Sequence, residues 1–161
     1  RHRLSVEQPS REEHRLVRDR IVHDLACVSQ QVSSDPGPSL LKLGRVQHLR
    51  TAIRATLKPG ITDADVLSRL HPTPATAGEP VAAALDVLNG LEPFDRGWYA
   101  GPVGWVGRDA AEFAVALRCG LVVKSNLLLY AGAGIVPGSD AASEAREIES
   151  KLAPFLHLFK V

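Results

Sequence analysis

Val17, Ile21, Leu25 and Val28 recur at intervals of three and four, which predicts a helix over residues 11–29. Just ahead of it, Ser10 and Glu13 have the spacing of a capping box, with Ser10 as N-cap and Glu13 at N3. The run Ser33-Ser34-Asp35-Pro36-Gly37-Pro38 has no periodicity and reads as a loop. Beyond it Leu49, Ile53, Ala55 and Leu57 fall mostly on one face of an alternating pattern. That predicts a strand within residues 46–57, preceded by a short one over 40–43. Lys58-Pro59-Gly60 is a turn, and Thr62 with Asp65 caps a short helix ending near Leu70.

Residues 71–80 hold three prolines and a glycine and are predicted to be irregular. Pro80 suits the first position of a helix that runs to Asn89 and stops at Gly90. Residues 99–106, 112–123 and 127–131 then form a β-rich block of predicted strands, separated by turns at Gly107-Arg108-Asp109 and Lys124-Ser125-Asn126. Two hairpins in succession predict an antiparallel meander. After a glycine-rich loop from Gly132 to Gly138, Ser139 or Asp140 caps a last helix. Its apolar face is Ile148, Leu152, Phe155, Leu156 and Phe159. The mixed order of elements predicts an α+β fold, an antiparallel sheet meander with flanking helices. An edge of the meander is expected to pair with something outside the chain.

Composition narrows the function. Of 161 residues, 45% are apolar and 23% charged, as in ordinary soluble domains. Nineteen Lys and Arg against eighteen Asp and Glu give a net charge of +1, so there is no basic field for nucleic acid or an anionic membrane. No apolar run approaches the roughly 20 residues that span a bilayer. Cys27 and Cys119 have no CxxC spacing, which argues against a disulfide scaffold or a zinc ribbon and fits a reduced compartment. The chain contains no methionine and shows no signal or transit segment at its start, as expected of a processed product or an excised fragment.

A few residues are not explained by patterning alone. Arg118 interrupts an apolar strand between Ala116 and Gly120, either to recognise a planar anion in a bidentate way or as a salt bridge. Glu144, Glu147 and Lys151 share a helix face, as an i,i+4 surface pair or as the wall of a site for a cation and an anion. Glu13 is accounted for by its capping box, and His14 and His48 are ligands or simple polar contacts. Gly132-Ala133-Gly134 could present backbone N–H groups to a carboxylate or phosphate, but it lacks the third glycine of a dinucleotide fingerprint. No nucleophile elbow and no His-Glu-x-x-His motif is present.

Seven ordered blocks carry a resemblance. They are Glu13-His14; His48-Leu49 with Thr51; Leu70-His71-Pro72-Thr73-Pro74-Ala75; Phe94-Asp95-Arg96-Gly97-Trp98-Tyr99 through Trp105; Leu117-Arg118-Cys119; Tyr130-Ala131-Gly132-Ala133-Gly134-Ile135-Val136; and Glu144, Glu147 and Lys151. Together they resemble the C-terminal half of the chorismate-utilising enzymes, in the isochorismate synthase branch. The match runs over residues 10–161, with residues 1–9 departing from it. The His-Pro-Thr-Pro-Ala loop resembles isochorismate synthases and, less closely, salicylate synthases. Anthranilate and aminodeoxychorismate synthases usually carry a Ser/Thr-Gly-Ala-Pro-Lys type loop there.

The resemblance implies part of a larger chorismate-binding α/β sandwich that isomerises chorismate to isochorismate with Mg²⁺. Glu13 and Glu147 would be metal ligands with Glu144 beside them. Arg118, Lys151 and the N–H groups of Gly132, Ala133 and Gly134 would hold the carboxylates of chorismate, next to Tyr130. His48 would sit near the reacting face, and Ala75 and Thr76 would line the ring pocket. Thr76 departs from the usual aliphatic residue. The general base lysine and general acid glutamate belong to the family's N-terminal half and are expected upstream of Arg1. The chain is then expected to need that half as its partner and to be inactive alone. Alternatives are a salicylate synthase and a non-catalytic chorismate-binding module. Quinone, salicylate or siderophore synthesis would consume the product, in a bacterial cytoplasm or in a plant or algal plastid stroma.

Overall fold

The N-terminal periodicity is realised as helix α1 (Gln8–Val28) in a computed structural model that describes residues 8–43 and 46–159. The helix begins earlier than predicted. Pro9 and Ser10 already lie within it, so Ser10 is a first-turn residue and not the N-cap. A proline fits there because the first helical amides have no intrahelical partner. Of residues 1–9, expected to depart from the resemblance, residues 1–7 lie outside the described ones. The chain divides into two compact units, Arg1–Leu85 and Asp86–Val161, with the division falling inside a helix.

In the first unit, α1 passes directly into β1 (Ser29–Ser34), and β2 (Ser39–Leu43), β3 (Val46–Arg50) and β4 (Ile53–Leu57) follow. The single strand predicted over residues 46–57 is therefore two, and Ser-Gln-Gln-Val-Ser-Ser is a strand its polar sequence did not announce. β1 pairs antiparallel with β4, and β2 with β3, so the chain runs out and back as an interrupted arm. The interruption is built by Asp35. Its N–H donates to the Ala52 carbonyl (2.9 Å) and its carboxylate accepts the Ala52 N–H (3.0 Å), which holds the Asp35 carboxyl below its usual range.

Helix α2 (Asp63–Leu70) has the expected capping box: Thr62 Oγ1 accepts the Asp65 N–H and the Asp65 carboxylate accepts the Thr62 N–H (2.8 Å). The proline-rich stretch is not wholly irregular, because Thr73 starts a single turn, α3 (Pro74–Ala77). Helix α4 (Val81–Leu91) follows Pro80 and runs through Gly90, which does not stop it. The Glu92 N–H still reaches back to the Leu88 carbonyl at 2.9 Å.

α1 packs against β1, α2 and α3 and buries Leu25, Val28 and Ala77. Arg20 binds the buried Asp24 (2.6 Å) and reaches Glu79 (2.8 Å), tying the segment ahead of α4 to α1. Arg20→Ala is expected to cost roughly 1–2 kcal/mol, since it leaves the Asp24 charge without its cation. A chemical denaturation midpoint unchanged from the parent chain would contradict this.

The second unit holds β5 (Pro102–Val106), β6 (Ala111–Val115), β7 (Cys119–Val123), β8 (Asn126–Tyr130) and α5 (Ala141–Phe159). Two expectations change here. Tyr99 lies outside β5, because its N–H bonds Arg96 O (2.8 Å) and the Gly101 N–H bonds Trp98 O (3.0 Å), coiling the chain into turns. The strand predicted over residues 112–123 breaks at residues 116–118. Ala116 exchanges backbone bonds with Ala100 and Gly101, and Arg118 takes a left-handed φ of 49°.

The meander is accordingly two hairpins, β5–β6 and β7–β8, each a two-stranded sheet among the described residues. Both carry large apolar side chains in the open, with Val103 and Trp105 each 54% and Val122 72% exposed. Asp140 caps α5 by accepting the Ser143 N–H (2.8 Å), while the Ser139 hydroxyl serves the preceding loop. α5 packs on β8 with Ile148, Leu152 and Phe155 half-buried; Leu156 is exposed, and the Phe159 side chain lies outside the described residues. The fold class is α+β, as expected from the order of elements.

Candidate functional site

In the second unit the candidate residues gather at the open end of the β7–β8 hairpin. Cys119 pairs with Tyr130, so Arg118, one residue before, and the Gly132 loop, two residues beyond Tyr130, sit at the same end. Arg118 is not in a central strand between small residues. It is exposed in its left-handed bend, and among the described residues no carboxylate pairs with it. The bend exists because β6 is recruited by β5 and β7 by β8. The residues between the two pairings must change direction.

Lys151, from α5, donates to the Gly132 carbonyl at 2.7 Å and pairs with Glu147 at 2.5 Å. The predicted i,i+4 pair is thus present, and the same ammonium also fixes the glycine loop. Glu144 lies one turn earlier on the helix and is half-buried. The Lys151 ammonium therefore stands against the Gly132 backbone with Glu147 beside it, and Glu144 lies on the same helix face. No third His, Cys, Asp or Glu joins them as a metal cluster among the described residues.

Beneath the loop lies an aromatic support. Tyr99 stacks on Tyr130 (centroids 5.5 Å apart, 18° between planes), and Phe94 meets Tyr130 at 6.0 Å. A Cβ at Gly132 would stand 2.6 Å from the Tyr99 hydroxyl, so a side chain there would force that hydroxyl or the loop to move. Burial pushes the Tyr99 hydroxyl pKa up. Tyr99 and its neighbours Arg96 and Glu92 were not legible as site residues, because nothing in their spacing marks them. Only the Phe94–Trp105 motif drew attention to that stretch.

The first unit carries the other candidates. Glu13 is half-buried on α1, and His48 is half-buried on β3 opposite Leu41. Ala75 and Thr76 lie in α3, where the Thr76 hydroxyl donates to the Thr73 carbonyl (3.2 Å). His14 is a polar contact: its Nε2 lies 2.8 Å from Thr51 Oγ1, which joins α1 to the end of β3. Burial, reinforced by Arg18, lowers the His14 pKa. A histidine depressed on folding stabilises above its unfolded pKa of roughly 6.5 and loses that contribution as pH falls through the folded value. Thermal stability is expected to drop on acidification below about 6.5, and His14→Gln should flatten that part of the profile. An equal slope in both proteins would contradict it.

Residues 1–160 match the family described as chorismate binding enzyme, and the chain belongs to it. The chain is 42% identical over 145 residues to the isochorismate synthase MenF of Bacillus subtilis, which covers 89% of this chain and 31% of that protein. It is also 42% identical over 144 residues to the chloroplastic isochorismate synthase 2 of Arabidopsis thaliana, covering 89% of this chain and 26% of that one. A crystal structure from Bacillus anthracis, described as a putative 2,3-dihydroxybenzoate-specific isochorismate synthase, DhbC, superposes with a TM-score of 0.87 at 30% identity. It covers 96% of this chain and 42% of that one. The chain thus spans under half the length of these relatives. No helix among the described residues is long and apolar enough to cross a membrane.

Proposed function

We propose that this chain supplies the carboxylate cradle of an enzyme that isomerises chorismate to isochorismate. The observation that carries the reading is the Lys151–Gly132 bond. It joins a charged helix face to a loop of backbone N–H groups, at the hairpin end where Arg118 is exposed. The Arg118 guanidinium and Lys151 ammonium bind and orient the two carboxylates of chorismate, and the N–H groups of Gly132, Ala133 and Gly134 add neutral donors. Tyr130 borders that cradle.

The donor chemistry at Glu144 and Glu147 fits Mg²⁺: hard carboxylate oxygens suit an ion that keeps several of its waters. When bound, Mg²⁺ would neutralise the ring carboxylate and ease departure of the hydroxyl as water adds. The lysine base and glutamate acid are supplied by polypeptide other than this chain. The apolar side chains left open on β5–β8 are a surface on which such a partner segment could dock. The reaction would run in a bacterial cytoplasm or a plastid stroma.

The test is to titrate chorismate into the full chain with and without Mg²⁺. The chain is then mixed with the upstream half of the Bacillus subtilis relative and the product identified by mass. Weak, Mg²⁺-strengthened binding, no turnover alone, and isochorismate from the mixture are expected. Salicylate would reassign the reaction, and tight binding with a persistently inactive mixture would make the chain a binding module. Isochorismate from the chain by itself would overturn the placement of the acid/base pair.

A further inference from the structure

The cradle's direction is set by groups that the proposed chemistry does not use. Arg96 forms a bidentate pair with Glu92 (2.6 Å at both contacts), with side chains only 25% and 24% exposed. Its guanidinium carbon lies 5.7 Å from the centroid of the Tyr99 ring, within cation–π range. The ring is held from its other neighbour by stacking on Tyr130. The Tyr99 hydroxyl stands where a Gly132 side chain would be, and Gly132 is gripped in turn by Lys151. Ala100, directly after Tyr99, is buried at a left-handed φ of 66°, and its N–H bonds the Ala116 carbonyl (2.8 Å), which fixes the backbone from which Tyr99 projects. Every link lies within the second unit.

The geometry points to Arg96 as a positioning residue for the Gly132–Gly134 loop, acting through Tyr99 and itself oriented by Glu92. Glu92 fixes the guanidinium plane, the guanidinium fixes the tyrosine ring, and the hydroxyl props Gly132 at the height where its neighbours' N–H groups face the ligand. The functional consequence rests on the carboxylate-binding reading above. The structural consequence does not, and the experiment separates them.

Amide NMR spectra of the isotopically labelled full chain are compared for wild type, Arg96→Ala, Glu92→Gln, Tyr99→Phe and the Arg96→Ala/Tyr99→Phe double variant, each also titrated with chorismate. The Gly132, Ala133 and Gly134 amides are expected to shift in every variant while those of α1 and β4 stay in place. Chorismate affinity should fall about fivefold in each single variant, and the double variant should be no weaker than the worse single, because the two residues act in one chain. A merely structural role would lower the melting temperature but give additive losses. Unmoved loop amides in Arg96→Ala and Tyr99→Phe, or additive losses, overturn the inference. Should Arg96→Ala fail to fold, Glu92→Gln and Tyr99→Phe carry the same comparison. If the wild-type chain binds no chorismate, the proposed function falls, while the loop amides still decide this inference.

Discussion

Replacing Lys151 by methionine is expected to weaken chorismate binding by roughly 100-fold, about 2.7 kcal/mol, the loss expected for a charge-assisted contact in a partly desolvated site. Three consequences arise from one atom. The Gly132 carbonyl loses the donor at 2.7 Å, Glu147 loses its cation at 2.5 Å, and the cradle loses an ammonium. The side chain is only 24% exposed, so water does not fully replace those bonds. Methionine keeps the length and apolar stem, which isolates the charge. Lys151→Arg is not expected to restore binding, because a planar fork cannot hold a carbonyl and a carboxylate where a compact ammonium does. Titration calorimetry on the full chain reads the effect. A methionine variant binding within twofold of the parent would remove Lys151 from the cradle.

Two helix caps were legible because they are local, whereas the Ser10 cap was misread because α1 starts ahead of it. Thr62 with Asp65, and Asp140 ahead of α5, satisfy amides within three residues of themselves, and the structure uses both as read. Leu25 and Val28 were legible as core for the same reason, being repeats of a helical period. Arg118 was misplaced because the apolar run over residues 113–123 reads as one strand on either side of it. The break comes from Ala116 bonding to Ala100 and Gly101, a pairing with no trace in the neighbouring sequence. β1 was missed because its partner β4 supplies the order that its own polar residues do not. The candidate site divides in the same way. Glu147 and Lys151 could be paired from a helical offset, whereas the Lys151–Gly132 bond and the Tyr99 support join residues 19 and 33 positions apart. No periodicity reports contacts of that kind.

The Tyr99 contact makes a second strong effect reversible. Gly132→Ala is expected to weaken chorismate binding by about 50-fold, because the new methyl would meet the Tyr99 hydroxyl at 2.6 Å and must lift the loop or displace a ring stacked on Tyr130. Tyr99→Phe removes the obstructing oxygen and leaves the nearest ring carbon at 3.9 Å, an ordinary contact. The double variant should therefore recover at least tenfold over Gly132→Ala, although Tyr99→Phe alone is itself weakened. That sign of coupling is diagnostic: two independent lesions would compound, whereas a methyl that takes the place of a hydroxyl under the same loop relieves. Chorismate titrations of the four proteins measure it directly. A double variant as weak as Gly132→Ala would mean that the loop is not seated on Tyr99, and the hydroxyl would lose its role as the prop that sets the cradle.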